Sequence, residues 1–273
     1  MFQTILRYIL ATAVALATFI AFKRRIVGFL ISKKVTAINY AGVEIVNGAG
    51  LLLAFSSLTS SLVLLLLESD TSCQTYLYMV LTLSFAGLLD DIMGDPQVKG
   101  LSGHVRSLLK GGFSTGILKA VTGLALGIVL ALDVYSDAVT FLVDIFLFVL
   151  CVNMINLLDL RPGRAIKGWV LISLIFLCLG RFDQTWILLP LTACICLYAK
   201  DEMLEVYMLG DTGSCLLGGT AGFYAVMVLP ITAKVAFVFL LSVLHLLAEY
   251  VSLSVCIEKV SILRKLDRLG RKE

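Results

Sequence analysis

Apolar residues in this chain run in long unbroken blocks, not at the alternating spacing of a strand or the one-sided spacing of a soluble helix. The blocks cover roughly 3–22, 43–67, 74–90, 112–132, 138–157, 166–180, 185–199, 213–229 and 232–257. A bilayer core takes about 20 residues of helix to cross. Inside it a single segment satisfies its own backbone only as a helix. The pattern therefore predicts an all-α, polytopic transmembrane helical bundle of about nine spans, between eight and ten. The sixth and seventh blocks are short and could form a re-entrant pair, which leaves the parity downstream unchanged. The first block has a signal-peptide look, but no strong basic segment precedes it and no small-x-small cleavage site closes it, so it is read as a retained helix.

Polar residues cluster between the blocks, and the cations fall on alternate sides. With the N-terminus outside, eighteen of the 22 Lys and Arg residues lie in cytosolic segments: Lys23 to Lys34, Lys99 to Lys110, Arg161 to Lys167, Lys200, and Lys259 to Lys272. Arg7, Arg181 and Lys234 fall outside, and Lys119 lies within a span. This bias orients the chain, N-terminus out and C-terminus in, by the positive-inside rule. Composition agrees: 59% of residues are hydrophobic and 15% charged, against about 25% charged in a soluble domain. The mean hydropathy is +0.99. A single integral membrane domain over 1–273 is expected, in the cytoplasmic membrane, ending in a basic amphipathic cytosolic tail over 257–273. That tail spaces Val260, Leu263, Leu266 and Leu269 by three, which suits a helix lying on anionic lipid. The seven cysteines sit mostly in apolar blocks without metal-type spacing, and read as small hydrophobes.

Three Asp-bearing segments fall at the cytosolic ends of blocks. Leu88-Leu89-Asp90-Asp91 closes the third. Asn153, Asn156 and Asp159 form a stripe at the end of the fifth, each turned about 60° from the last. Gly210-Asp211-Thr212-Gly213-Ser214 opens the eighth. Carboxylates beside hydrocarbon are costly and rarely gather without a task. Acidic groups there suit a divalent cation and, through it, phosphate. Cations stand alongside: Lys99, His104, Arg106 and Lys110 follow the Asp pair, and Arg161, Arg164 and Lys167 follow the stripe. Bland readings exist for each segment alone: a solvated helix end, interhelical hydrogen bonding, and a helix cap. Asp144, His245 and Glu249 lie within spans, as a buried pairing of helices or as a relay.

Taken together, the Asp-Asp pair at a span end, the Asn-x-x-Asn-Leu-x-Asp segment and the Met-x-Gly-Asp-x-Gly-Ser segment resemble the signature of the polyprenyl-phosphate N-acetylhexosamine-1-phosphate transferases, which include phospho-N-acetylmuramoyl-pentapeptide transferase. The resemblance extends from about Asn39 to Lys259, and Asn39 to Gly50 looks like that family's early Gly-rich loop. It implies transfer of a sugar 1-phosphate from a UDP-sugar, of the N-acetylhexosamine or MurNAc type, to a membrane polyprenyl phosphate, with Mg²⁺ and release of UMP. It further implies that Asp90, Asp91 and Asp159 are catalytic and that Asp91 and Asp211 hold the metal. Substrate would be bound by Asn153, Asn156, Lys99, Arg161, Arg164, Lys167, Gly210 and Gly213. Membrane lipid is the further partner, no nucleic acid is expected, and a homodimer is permitted. The chain departs from the family after Asp159, where Leu160-Arg161-Pro162-Gly163 replaces a segment with a second Asp, and in lacking a His-rich loop near the C-terminus. Two other readings stand beside it: an inactive relative that binds lipid phosphate or an envelope-synthesis partner, and a small-molecule or ion transporter.

Overall fold

In a computed structural model, residues 2–67, 70–94 and 114–271 are described. They form eleven α-helices, one 3-10 turn and one small hairpin. Helix α1 is Phe2–Ser32, α2 Gly50–Leu67, α3 Thr71–Met93, α4 Thr115–Asp133 and α5 Ala138–Leu158. They are followed by α6 (Arg164–Leu179), the 3-10 turn (Phe182–Ile187), α7 (Leu189–Met203), α8 (Gly210–Val228), α9 (Ile231–Tyr250), α10 (Leu253–Lys259) and α11 (Ser261–Arg268). Six of these, α1 to α5 and α9, are long and apolar enough to cross a membrane. Their outer faces carry exposed Leu, Ile, Val and Phe, such as Leu66, Phe85, Phe146 and Phe239, as lipid-facing helices must.

The three other expected spans behave differently. The blocks at 166–180 and 185–199 become α6 and α7, of 16 and 15 residues, joined through the 3-10 turn. Helix α8 is the axis of the bundle. Seventeen of its 19 residues are buried, and it packs on α2, α3, α5 and α6. Small residues permit this. A Cβ at Gly218 would lie 2.6 Å from Val152 Cα and 2.8 Å from the Cys151 carbonyl oxygen, so α5 and α8 cross with their backbones in contact, as membrane helices with little hydrophobic drive between them tend to do.

Element ends differ from the apolar blocks in three places. Residues 43–49 do not start α2. They belong to an antiparallel hairpin of β1 (Thr36–Ile38) and β2 (Glu44–Val46) and to the loop after it. Asn39 builds that turn: its Oδ1 accepts the N–H groups of Ala41 and Val43, each at 2.9 Å. Helix α1 continues to Ser32, so Lys23, Arg24 and Arg25 are helical. The last block breaks at Val251, and the chain turns into α10 and α11.

Asp144, in α5, faces Lys234 of α9, with Nζ to Oδ1 at 2.7 Å and both side chains buried. This is the interhelical pairing that an intramembrane carboxylate needs. His245 Nδ1 lies 2.7 Å from Leu241 O on its own helix.

Candidate functional site

The Asp-bearing segments meet at one end of the bundle because the helices that carry them alternate in direction. Asp90 and Asp91 end α3, Asn156 and Asp159 end α5, and Asp211 begins α8. The loop before α2 joins them. Met208 N–H donates to Val46 O at 2.7 Å, Ala49 N–H to Met208 O at 3.0 Å and Gly50 N–H to Leu209 O at 2.9 Å. The Gly-rich segment thus runs alongside the entry to α8.

Asp91 is the cap of α8. Its Oδ1 accepts from Asp211 N–H at 2.8 Å and from Asn47 Nδ2 at 3.0 Å. Its Oδ2 accepts from Thr212 N–H at 2.9 Å and Thr212 Oγ1 at 2.6 Å. Four donors use the roughly four lone-pair sites of an ionised carboxylate. Two of them are orphan N–H groups of a helix start, whose dipole favours negative charge. Where a metal role was expected of Asp91, its oxygens here hold the start of α8 and Asp211 in place. Gly210 is required beside it. Its φ is +71°, and a Cβ there would meet Asp91 Oδ1 at 2.6 Å and Gly48 N at 2.7 Å. Gly213 lets the entry to α8 press on Leu209 and on Gly50. Both glycines shape the site's backbone, where substrate contact was expected of them.

Asp90 points to the other side, toward α4. It accepts from Thr115 Oγ1 and pairs with Lys119 Nζ. The same Nζ lies 2.8 Å from Asp211 Oδ1. The sequence placed Lys119 inside a span. It sits one turn from the start of α4, capped by Ser114, and bridges the two carboxylates. A lone cation in an apolar block was the signal available. Asp90, Lys119 and Asp211 are half-buried, with side-chain exposures of 16%, 17% and 29%; what separates Asp91 from them is that its oxygens are taken up by four donors.

The stripe divides. Asn156 Oδ1 accepts from Ser214 Oγ at 2.9 Å, tying α5 to α8. Asn153 is exposed and has no hydrogen-bond partner among the described residues. Asp159 lines a cavity of about 270 Å³ together with Asn39, Tyr40, Arg161, Glu202 and Tyr207. Burial, with Glu202, Asp211 and Asp91 nearby, pushes the Asp159 carboxyl well above its ordinary range, against a Gly210 N–H that pulls it down. Glu202 stands at the end of α7, past its apolar stretch. It was not anticipated. Its Oε1 accepts Gly163 N–H at 2.9 Å, its Oε2 has no hydrogen-bond partner among the described residues, and burial raises its carboxyl to about 7.

The cations after the stripe part company. Arg161 lines the cavity and stacks over the Tyr40 ring at 4.3 Å. Tyr40 Oη and Asn39 Nδ2 both donate to Glu205, at 2.9 and 2.7 Å. Arg164 does not face the cavity. Its guanidinium grips Asp267 through Nε at 2.7 Å and Nη2 at 2.9 Å, and donates to Ser254 Oγ at 2.8 Å. Lys167 Nζ donates to the Asp267 carbonyl at 2.7 Å. Donor binding was expected of both; here the Arg164 fork holds a carboxylate of this chain, and neither residue lines the cavity. Lys99, His104, Arg106 and Lys110 lie outside the described residues.

No protein-family model and no curated protein matches the chain. The residues present suit Mg²⁺, which typically takes one or two protein carboxylates and fills its remaining positions with phosphate and water. Asp211 and Asp90 are the two carboxylates that Lys119 brings together. Among the described residues no cluster of three or more acidic, His or Cys ligands forms.

Proposed function

We propose that this chain is a membrane phosphotransferase that moves a sugar 1-phosphate from a UDP-sugar onto a polyprenyl phosphate at the cytosolic face and releases UMP. The observation that carries the reading is the convergence of Asp90, Lys119 and Asp211, from three helices, beside a cavity holding Asp159 and Arg161. In this reading the number of spans, about nine, rests on the apolar blocks and the cytosolic placement on the cation bias, and the active site sits at the headgroup level.

Asp211 and Asp90 would hold the Mg²⁺, which would offset charge on the donor diphosphate and on the departing UMP. Asp91 fixes Asp211 through the backbone at the start of α8. Lys119 keeps the two carboxylates from repelling one another and supplies a cation to phosphate once they turn to a ligand. Arg161 at the cavity mouth is placed for the donor's phosphates, and Asn156 holds the stripe to α8. An oxygen of the acceptor phosphate attacks the phosphorus that bears the sugar. The bond to the UMP oxygen breaks, and no proton need be removed from a phosphate that is already ionised.

The test is a membrane assay with labelled UDP-sugars and polyprenyl phosphate, with and without EDTA. Lipid-linked sugar that disappears in EDTA and in Asp211→Asn supports the reading. Its absence with every donor, together with retained binding of polyprenyl phosphate, would favour the inactive relative. The transporter reading is weakened because Asp144 is matched by Lys234 and His245 is tied to its own helix.

A further inference from the structure

The C-terminal segment carries a second surface that the transfer reaction does not use. Helix α11 presents three faces. Ile262, Leu266 and Leu269 are 72%, 54% and 67% exposed, and Leu263 flanks them. At about 100° per residue Ile262 and Leu266 share one side of the helix, and Leu269 stands just past its end. A second side buries Asp267 against Arg164 and Arg271, with Arg271 Nη2 to Asp267 Oδ1 at 2.7 Å. Arg271 Nε also donates to Pro162 O at 2.8 Å. The third side carries Arg264 and Arg268, with Lys265 between them and the apolar stripe.

The buried pairing fixes how the helix is rolled. With Asp267 held, the apolar stripe cannot turn inward, and among the described residues nothing covers it. The helix follows α9 after the short α10. That span ends at Tyr250, which is 85% exposed, as an aromatic at a membrane–water boundary would be. An apolar stripe flanked by Lys and Arg, one short helix past a boundary aromatic, is complementary to acyl chains below and anionic headgroups alongside.

We infer that α11 lies in the headgroup layer of the chain's own membrane and binds anionic lipid there, while Asp267 clamps it to the turn that carries Arg161. The partner is the bilayer surface, and this inference does not depend on the transferase reading.

The test uses the full chain in nanodiscs of phosphatidylcholine alone or mixed with phosphatidylglycerol, which leave both faces accessible. Trypsin cleavage after Arg264 and Lys265 is followed by mass spectrometry. Cleavage should be about tenfold slower with the anionic lipid, and the joint substitution Ile262→Glu and Leu266→Glu should abolish the difference. The same comparison in Asp267→Asn, where the clamp is loosened, separates protection by lipid from protection by Arg164, and the lipid dependence should persist there. Equal cleavage in both lipids in Asp267→Asn would overturn the inference. So would protection that survives the two Glu substitutions, since the stripe would then be covered by protein.

Discussion

Asp91 and Asp211 are both carboxylates at span ends, yet their surroundings give them different work. Asp91 accepts four hydrogen bonds and orders the start of α8. Asp91→Ala should therefore cost about 1–3 kcal/mol of stability, the penalty of leaving buried donors unmet, read as a lower unfolding temperature in detergent. Asp211→Asn should leave that temperature nearly unchanged and abolish transfer. Equal destabilisation by both would remove the distinction. Lys119 faces two carboxylates, so Lys119→Gln should lower activity while the protein stays folded, and an unaffected rate would exclude it from the site. Glu202 gives a pH signature. Burial raises its folded value to about 7, above an unfolded value near 4.3. The folded state therefore favours the neutral acid, and stability should fall as pH rises between about 4.5 and 7, by at most about 4 kcal/mol. Glu202→Gln should flatten that slope. An unchanged slope would mean that its carboxyl does not titrate in that window.

Among the elements, α8 and the tail show most clearly what side chains decide. Helix α8 is rich in Gly, Ser and Thr and is enclosed by its neighbours, which is why it reads as weakly apolar and still forms the axis. The tail is held by charge. Burial by itself would raise the Asp267 carboxyl, but Arg164 and Arg271 outweigh it and hold the group below the usual carboxylate range. Its stabilisation is present above an unfolded value of about 3.9 and is lost as pH falls through the lower folded one. Asp267→Ala leaves Arg164 buried without its partner and should cost about 3–5 kcal/mol. Adding Arg164→Met should recover most of that, measured by thermal unfolding of the purified protein. A double variant no more stable than the single one would show that the pair does not act as a unit.

For the molecule as a whole, the orientation is the property on which the proposed cytosolic placement of the site depends. Cysteines introduced at Ser32 and Ser136, in a chain whose seven native cysteines are replaced, should respond oppositely to an impermeant thiol reagent on intact cells: Ser136→Cys labelled, Ser32→Cys shielded. The reverse pattern would place the carboxylates outside and remove the access to a cytosolic nucleotide sugar.

The membrane class, the helical architecture and the three Asp segments were legible in the chain itself, because unbroken apolar blocks and carboxylates at their ends are local patterns with one strong physical meaning each. The identity of the capping carboxylate was not, since Asp90 and Asp91 are alike in sequence and only the approach of α8 on one side and α4 on the other separates them. Nor was the fate of the cations after the stripe. Arg164 binds phosphate or carboxylate equally well through the same fork, and residue 267, a hundred positions later, decides which. Glu202 and Lys119 stayed hidden for the same reason: a buried charge takes its meaning from partners that the fold brings from elsewhere, whereas an apolar block carries its meaning alone.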